Sequence, residues 1–376
     1  MTTTADVSPV RIEAAQCRTA FGDADATCAA LVAGERALQP RPVLGSQGGD
    51  PVPLALAPGR SLDETAPPNW ISVVKALAAE IPPAAWGSAR YPVFVTSSNF
   101  GVGSLYAFQR TQVTEHLQYG TPFATVEFLR QQLGWGTNVA VLSHACVSAH
   151  LGLMCATRAL QAGFADRALV FSFDFLSPFV TGGFHALKIL NAGFPAPYAA
   201  RETGSIGLGD GAAFAVLGRA TGSAPGGAFT IAAQSLHNEM HHFTANRADG
   251  AGFSACLAPL VTAAAGRRLW VKGHGTGTIE AGRLEAETLA SLFPKAPLVS
   301  WKGSLGHTLG SCGLVELAIV LAALRAGRAP GTVGATAPFF ADTVAAESFS
   351  TAGFDSVLLT SNAFGGAHAA CLLRHG

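Results

Sequence analysis

The stretches NVAVLSHACVSAHLGLMCATRALQAG (138–163) and PLVSWKGSLGHTLGSCGLVELAIVLAALRAG (297–327) share one plan. Each begins with a short apolar segment typical of a buried strand, passes through a turn of small residues, and continues as a helix that ends at glycine. The two endings, ALQAG and ALRAG, differ at a single position. This likeness predicts an internal duplication.

Two further pairs of segments match in the same order. PVFVTSSNFGVGS (92–104) and RLWVKGHGTGTIE (268–280) both read as a strand that runs into a polar glycine turn, and GSIGLGDGAAFAVLG (204–218) resembles TSNAFGGAHAACLL (360–373). Strands alternating with helices predict parallel sheets covered by helices. In such folds functional residues lie on loops at the strand ends, so we expect the matched turns to meet.

Composition excludes several classes of protein. The 376 residues include 24 basic and 24 acidic side chains, so there is no electrostatic case for nucleic acid or an anionic membrane surface. The start of the sequence lacks the features of a signal peptide, and no apolar run reaches about 18 residues without a polar interruption. Seven cysteines without a CxxC pair argue against a disulfide framework and a zinc knuckle. We therefore expect a cytoplasmic enzyme. The Pro- and Gly-rich residues 35–70 are predicted to be irregular surface chain.

Cys146 is the first candidate for chemistry. Its position at a predicted strand-to-helix turn would place it near a helix N-terminus, which lowers the pKa of a thiol. A small buried residue is the ordinary alternative for a cysteine. A metal site with the flanking His144 and His150 is a third possibility, although one short turn offers no fourth ligand.

Two later turns supply candidate partners for the thiol. His274 lies in the turn VKGHGTGT, where the backbone would hold it close to a substrate, and His307 lies in WKGSLGHTLGSCG. Lys302 precedes His307 by five residues, and Glu316 is placed to form an ion pair with it. A thiol with two imidazoles, from equivalent turns of two halves, favours an activated nucleophile with N–H donors for a developing negative charge.

At these residues the sequence resembles the elongating β-ketoacyl-[acyl-carrier-protein] synthases of the thiolase superfamily. The motifs are HACVSA, HGTGT, KGSLGHTLGSCG and AFGG, and the resemblance covers the chain from about residue 92 to its end. It implies an α/β thiolase fold with two duplicated βαβαβαββ halves in an α-β-α-β-α arrangement. The halves would be residues 1–225, with the nucleophile, and 226–376, with the two histidines and the lysine, joined in one catalytic unit.

The resemblance also implies a decarboxylative Claisen condensation without a cofactor or a metal, in which an acyl carrier protein delivers the acyl and malonyl groups on its phosphopantetheine arm. The implied site residues are the nucleophile Cys146, the enolate-binding His274 and His307, Lys302 supported by Glu316, an oxyanion hole from the N–H groups of Cys146 and the gatekeeper Phe364, and His242, Thr244, Thr276 and Thr278 along the pantetheine arm.

Several positions depart from the family pattern. His144, Ile279, Gly282, Ala367 and His368 stand where the family usually has Thr, Pro, Asp, Thr and Asn, and the region 175–201 is short. Compact, divergent synthases of this kind occur in type II polyketide and aryl-polyene pathways. The alternative function is therefore a chain-length-factor-like partner subunit with little or no catalysis of its own. A homodimer or heterodimer is expected, with the run 168–180 as an interface strand or an ordinary central strand.

Overall fold

The computed structural model describes residues 9–63, 69–220, 228–242 and 245–375. Its strands are β1 Val10–Arg18, β2 Gln39–Pro42, β3 Pro51–Ala55, β4 Val93–Thr96, β5 Val139–Leu142, β6 Arg167–Asp174, β7 Leu208–Gly209, β8 Gly211–Arg219, β9 Phe229–Asn238, β10 Leu269–Lys272, β11 Leu298–Val299, β12 Arg328–Ala329, β13 Phe349–Ser350, β14 Ser356–Ala363 and β15 Ala367–His375. Its helices are α1 Ala24–Val32, α2 Trp70–Ala78, α3 Val102–Thr111, α4 Pro122–Gln132, α5 Ser148–Gln161, α6 Pro178–Ala186, α7 Ala251–Ala263, α8 Ile279–Leu292, α9 Lys302–Leu305 and α10 Cys312–Ala326.

The strand order of the main sheet shows the duplication directly. Ten strands follow one another as β11-β10-β14-β15-β9-β1-β8-β6-β4-β5. From the centre outward, β1, β8, β6, β4 and β5 on one side correspond to β9, β15, β14, β10 and β11 on the other. In both halves the three outer strands are parallel to one another and the two inner ones pair antiparallel. The predicted duplication is confirmed.

Helices α5 and α10 form the layer between the two halves of the sheet. Helix α10 packs on β8 of one half and β14 of the other, and α5 packs on β6 and β15. On the outer faces, α2 and α4 cover the first half, and α7 and α8 cover the second. The predicted α-β-α-β-α layering is therefore confirmed. The two halves also join in the middle, through three residue pairs between β1 and β9.

Backbone and packing explain why α5 and α10 occupy this central layer. Both are followed by a glycine in the left-handed region, Gly163 at φ 76° and Gly327 at φ 70°, as the matched sequence endings predict. The segment Leu309–Ala326 is long and apolar enough to cross a membrane by composition, yet 83% of it is buried inside the protein. Its apolar surface is thus covered by the two halves of the sheet.

Three predictions about the chain need correction or lie beyond the described residues. The region 35–70 is not wholly irregular, because β2 and β3 pair within it and β3 continues to β7, with Val52 and Leu54 buried. The run 168–180 is no interface strand, since β6 lies between β4 and β8 in the sheet. The expected boundary after residue 225 falls within 221–227, outside the described residues, and stays a prediction.

Candidate active site

The fold brings the ends of parallel strands from both halves to a single pocket. Cys146 follows β5, His274 follows β10, and His307 follows β11 and the short α9. Because the carboxyl ends of parallel strands meet at one edge of a sheet, turns far apart in sequence become neighbours. The expectation that the matched turns meet is confirmed.

The Cys146 turn has a tightly defined backbone. Ala145 adopts a positive φ of 44°, a conformation that is uncommon for a residue with a side chain. The Ser148 hydroxyl donates to the carbonyl oxygen of Ala145 at 2.7 Å and accepts from the N–H of His144 at 2.7 Å. These bonds hold the half-buried Cys146 at the start of α5.

Both predicted histidines lie beside the thiol. The Nε2 atom of His307 is 3.1 Å from the Sγ atom of Cys146. The ring centroids of His274 and His307 are 5.0 Å apart, with their planes at 90°. The Cys146 thiol thus faces two imidazoles in a single cavity, although both histidines lie more than a hundred residues after Cys146 in the chain.

Burial sets the protonation states of these groups. It lowers the pKa of His274 and of His307 well below the usual value, and the ammonium of Lys302 acts in the same direction on both. Burial also raises the pKa of the Cys146 thiol, as does the neighbouring Cys312, while Lys302 opposes the change. The sequence-based expectation of a lowered thiol pKa is therefore wrong, because desolvation outweighs the helix N-terminus. The site holds neutral imidazoles and a protonated thiol.

Lys302 and Glu316 form the predicted ion pair inside the protein. Their Nζ and Oε1 atoms are 2.7 Å apart, and the two side chains are 1% and 2% exposed. The same Glu316 oxygen accepts from a second lysine, Lys272, also at 2.7 Å. Lys272 was not among the predicted site residues, although a lysine at the end of the apolar strand LWVK was a visible signal.

A second buried carboxylate holds the His274 turn. Glu285 on α8 accepts hydrogen bonds from the N–H groups of His274 at 2.6 Å and Gly275 at 2.8 Å. It also accepts from the hydroxyl groups of Tyr198 at 2.9 Å and Thr360 at 3.0 Å. Glu285 was not among the predicted site residues. Nothing in its local sequence shows that its carboxylate accepts a hydrogen bond from the backbone of His274, eleven residues earlier.

The pocket that contains the three groups has a cavity volume of about 100 Å³. Of the predicted residues, Cys146, His274, His307, Thr276, Thr278 and Phe364 line it, and its other lining residues are Phe184, Ile189, Ile206, Asn246, Ala281, Asn362 and Ala363. The Phe364 ring is 41% exposed and stacks on Phe184, with centroids 6.1 Å apart. This position at the rim suits the predicted gatekeeper, whose role stays a prediction.

The remaining predicted residues lie elsewhere. His242 is exposed, and its Nδ1 atom accepts from the N–H of Ala245 at 3.1 Å. From the same segment it is Asn246 that lines the pocket. Thr244 lies outside the described residues.

Comparisons with known proteins agree with this geometry. Residues 227–336 match the family described as the C-terminal domain of β-ketoacyl synthases. The chain is 27% identical over 261 residues to 3-oxoacyl-[acyl-carrier-protein] synthase 2 of Coxiella burnetii, covering 61% of this chain and 63% of that protein. It is 27% identical over 296 residues to the tetracenomycin polyketide synthase ketoacyl synthase alpha subunit of Streptomyces glaucescens, covering 72% of this chain and 68% of that protein.

A solved structure shows the fold. The complex of a ketosynthase with its chain length factor from Xenorhabdus doucetiae contains a chain that superposes with a TM-score of 0.78 and 20% identity, covering 100% of both chains. This chain is similar to ketosynthases. The described ten-stranded sheet with its central helices is accordingly the thiolase fold.

The two histidines that flank Cys146 in sequence, His144 and His150, have separate surroundings. The Nε2 atom of His144 lies 2.9 Å from the Oδ1 atom of Asn238 at the end of β9. His150 is buried on α5 against Gly313 of α10, and burial lowers its pKa to about 4. The side chains of His144, Cys146 and His150 therefore point to different neighbours and do not converge on one point.

His368, one of the residues that depart from the family pattern, forms another polar contact next to the pocket. The Nδ1–H of His368 donates to the Oδ1 atom of Asn362 at 2.8 Å, and the Nε2 atom of His368 is 3.6 Å from Glu239. The sequence analysis noted His368 as a departure from the family but did not predict its partner. Only the antiparallel pairing of β14 and β15, which sets Asn362 opposite His368, reveals it.

Proposed function

We propose that this protein is a β-ketoacyl synthase that extends a fatty-acid or polyketide chain by decarboxylative condensation. The observation that carries the proposal is the placement of the His307 Nε2 atom 3.1 Å from the Cys146 Sγ atom, with the His274 ring beside it. A thiol with an adjacent imidazole is the arrangement of an activated nucleophile, and a second imidazole adds a donor for a developing oxyanion.

In the first step, the Cys146 sulfur attacks the carbonyl carbon of an acyl thioester, and the bond from that carbon to the carrier sulfur breaks. Because burial raises the pKa of the Cys146 thiol, a base must take its proton; the Nε2 atom of His307 is within hydrogen-bonding distance, and it passes the proton to the carrier sulfur, which leaves as a thiol. The N–H groups of Cys146 and Phe364 serve as the oxyanion hole for this step. The acyl group is then held on Cys146 as a thioester.

In the second step, a malonyl thioester loses CO₂, and the electron pair of the broken bond passes to the thioester oxygen as an enolate. Neutral His274 and His307 bind that oxygen through their N–H groups, which spreads the charge without a metal. The enolate carbon then attacks the acyl carbon on Cys146. A carbon–carbon bond forms, the carbon–sulfur bond breaks, and the Cys146 thiolate takes up a proton from water, which restores the thiol.

Lys302 acts behind these groups. Its ammonium, fixed by Glu316, faces the two imidazoles and lowers their pKa, so that His307 passes the Cys146 proton on and both imidazoles are neutral when the malonyl thioester binds. Thr276 and Thr278, whose hydroxyl oxygens are 3.2 Å apart in the pocket, hydrogen-bond the pantetheine arm. Both substrates arrive on an acyl carrier protein, and no further cofactor takes part.

A subunit partner forms part of the proposal. Strand β5 stands at one end of the main sheet, directly before the Cys146 turn, and Val141 within it is 37% exposed. A strand at a sheet edge offers N–H and C=O groups for pairing with another chain. We assign β5 as the edge that pairs with a second ketosynthase-like subunit, identical or different, in the cytoplasm.

The test of the nucleophile is the mass of the intact protein after incubation with acyl thioesters of an acyl carrier protein. The wild type should gain one acyl group, and Cys146→Ala should gain none. Cys155→Ala provides the matched control, because Cys155 is a partly buried cysteine on α5 outside the pocket. Acyl loading of the Cys146→Ala protein would contradict the assignment of Cys146 as the nucleophile.

The second candidate function is a chain-length-factor-like subunit, favoured by the likeness to a ketosynthase solved with its chain length factor. The intact set of Cys146, His274 and His307 in one pocket favours the active enzyme. Malonyl decarboxylation by the isolated protein separates the two functions, since a subunit without catalysis would decarboxylate only together with an active partner.

A further inference from the structure

Lys272 is a lysine whose ammonium lies wholly inside the protein. It ends β10, and its side chain is 0% exposed. Its Nζ atom donates to the Glu316 Oε1 atom at 2.7 Å and to the carbonyl oxygen of Gly273 at 2.6 Å, and it lies 5.5 Å from the centroid of the Trp301 ring. Because lysine is almost never fully buried without a partner, this environment is built for a charged group.

One carboxylate serves two ammonium groups at this point. The Glu316 Oε1 atom accepts from both Lys272 and Lys302, so the three ionised side chains carry a net charge of one positive unit. The Lys302–Glu316 pair alone would be neutral. The second lysine therefore determines that the cluster behind the pocket is cationic.

Titratable groups surround the Lys272 ammonium on every element packed against it. Two of them, Lys302 on α9 and Glu316 on α10, belong to the charged cluster; the others are Cys312 on α10, His150 on α5, and the two pocket histidines, His274 and His307. Lys272 also belongs to the same strand end as His274, two residues before it. A change at Lys272 thus reaches the histidines through the backbone and through its charge.

We propose that Lys272 is a positioning residue of this site, which ties the end of β10 to Glu316 and gives the buried cluster the net positive charge that the two histidines face. The inference deepens the proposed condensing function by adding a residue that acts through His274 and His307. Lys272 itself contacts no substrate.

The expected electrostatic consequences have definite signs. A positive charge near an imidazole disfavours its protonation, so removing Lys272 should raise the pKa of His274 and His307. Burial, outweighing the attraction of Glu316, lowers the pKa of Lys272 to about 8. Lys272 should thus lose its proton, and the cluster its net positive charge, as the pH rises through about 8. This pH is within reach of a titration of the folded protein.

The test is a pH titration of the imidazole signals by NMR in protein labelled at histidine, with His274→Asn and His307→Asn used for assignment. In Lys272→Met we expect the half-titration pH of both imidazoles to rise by about one unit, or about tenfold in proton affinity. Lys272→Arg, which retains the charge, should keep the wild-type titration. Lys75→Met, the same change at an exposed lysine on α2, should leave the titration unaltered.

The wild type alone provides a readout that no folding defect can obscure. Its His274 and His307 signals should show an inflection near pH 8, when Lys272 loses its proton. A wild-type titration without that inflection, or histidines in folded Lys272→Met that titrate as in the wild type, would overturn the inference. If the titrations behave as expected but wild-type Cys146 accepts no acyl group, the condensing function fails and the role of Lys272 stands.

Discussion

Glu285 contributes both to the stability of the protein and to the position of His274. Its replacement by glutamine should change both, and should leave the rest of the site largely as it is. The carboxylate is 2% exposed and accepts four hydrogen bonds. Each oxygen takes one backbone N–H and one hydroxyl: Oε1 binds His274 and Thr360, and Oε2 binds Gly275 and Tyr198.

Glutamine retains one acceptor oxygen and presents an NH₂ group in place of the other. A hydroxyl group can rotate and accept from that NH₂, but a backbone N–H cannot, so one of the two backbone donors is left facing another donor. A hydrogen bond to a charged acceptor is worth about 1.5–3 kcal/mol, and an unsatisfied buried donor costs about 1–3 kcal/mol. We expect Glu285→Gln to lower the free energy of unfolding by about 2.5–6 kcal/mol, the sum of the two terms, out of the about 5–15 kcal/mol that is typical of a folded protein.

The catalytic effect should be selective. The Glu285 bonds hold the turn of His274 in the second half, whereas the Cys146 turn belongs to the first half. Acyl loading of Cys146 should therefore be largely retained, while malonyl decarboxylation falls by about 10²-fold, since a misplaced oxyanion donor is costly. Urea unfolding gives the stability, and intact mass and CO₂ release give the two activities.

The matched control is Glu287→Gln, the same change at an exposed position of α8, which should leave unfolding and both activities unchanged. The reasoning would be refuted by a Glu285→Gln protein whose unfolding free energy lies within about 0.5 kcal/mol of the wild type, the ordinary range for surface substitutions. Equal losses of loading and decarboxylation would also contradict it, because they would mean that Glu285 supports both halves of the pocket.

The remaining predictions concern residues around the Cys146 turn and the end of β6. At Gly310 an added Cβ would lie 2.6 Å from the Ser98 nitrogen and 3.0 Å from the carbonyl oxygen of Ala145, so Gly310→Ala should cost about 1–3 kcal/mol of stability and slow alkylation of Cys146 by iodoacetamide. Gly183→Ala, where nothing lies within 4 Å, should instead stabilise α6 by about 0.5–1 kcal/mol; a destabilisation equal to that of Gly310→Ala would contradict the steric argument. Burial raises the pKa of Asp174 to about 6 despite its bonds from Ser97 and Ser98, so folding favours its protonated form. The stability of the wild type relative to Asp174→Asn should hence rise by about 2.4 kcal/mol as the pH falls from about 7 to about 4, and a difference that stays flat over this range in urea unfolding would exclude the effect.

Local patterns account for much of the fold. The matched segments around residues 138–163 and 297–327 revealed the duplication, because a strand, a turn of small residues and a helix are each encoded by short-range patterns. The same reasoning failed in 35–70, where the prolines and glycines indicated irregular chain. There, pairing of β3 with β7, more than a hundred and fifty residues later, stabilises strands that their own composition does not favour.

The sequence by itself determined the duplicated α/β architecture and the identities of Cys146, His274, His307, Lys302 and Glu316 as candidates, because each lies in or close after a glycine-rich turn whose residue types carry the information. Only the tertiary structure decided what surrounds them. Burial, which raises the pKa of the Cys146 thiol against the influence of the helix N-terminus, depends on the packing of both halves around one pocket. The contacts of Lys272 with Glu316 and of Glu285 with the His274 turn join separate elements, and such contacts arise only when the chain closes on itself.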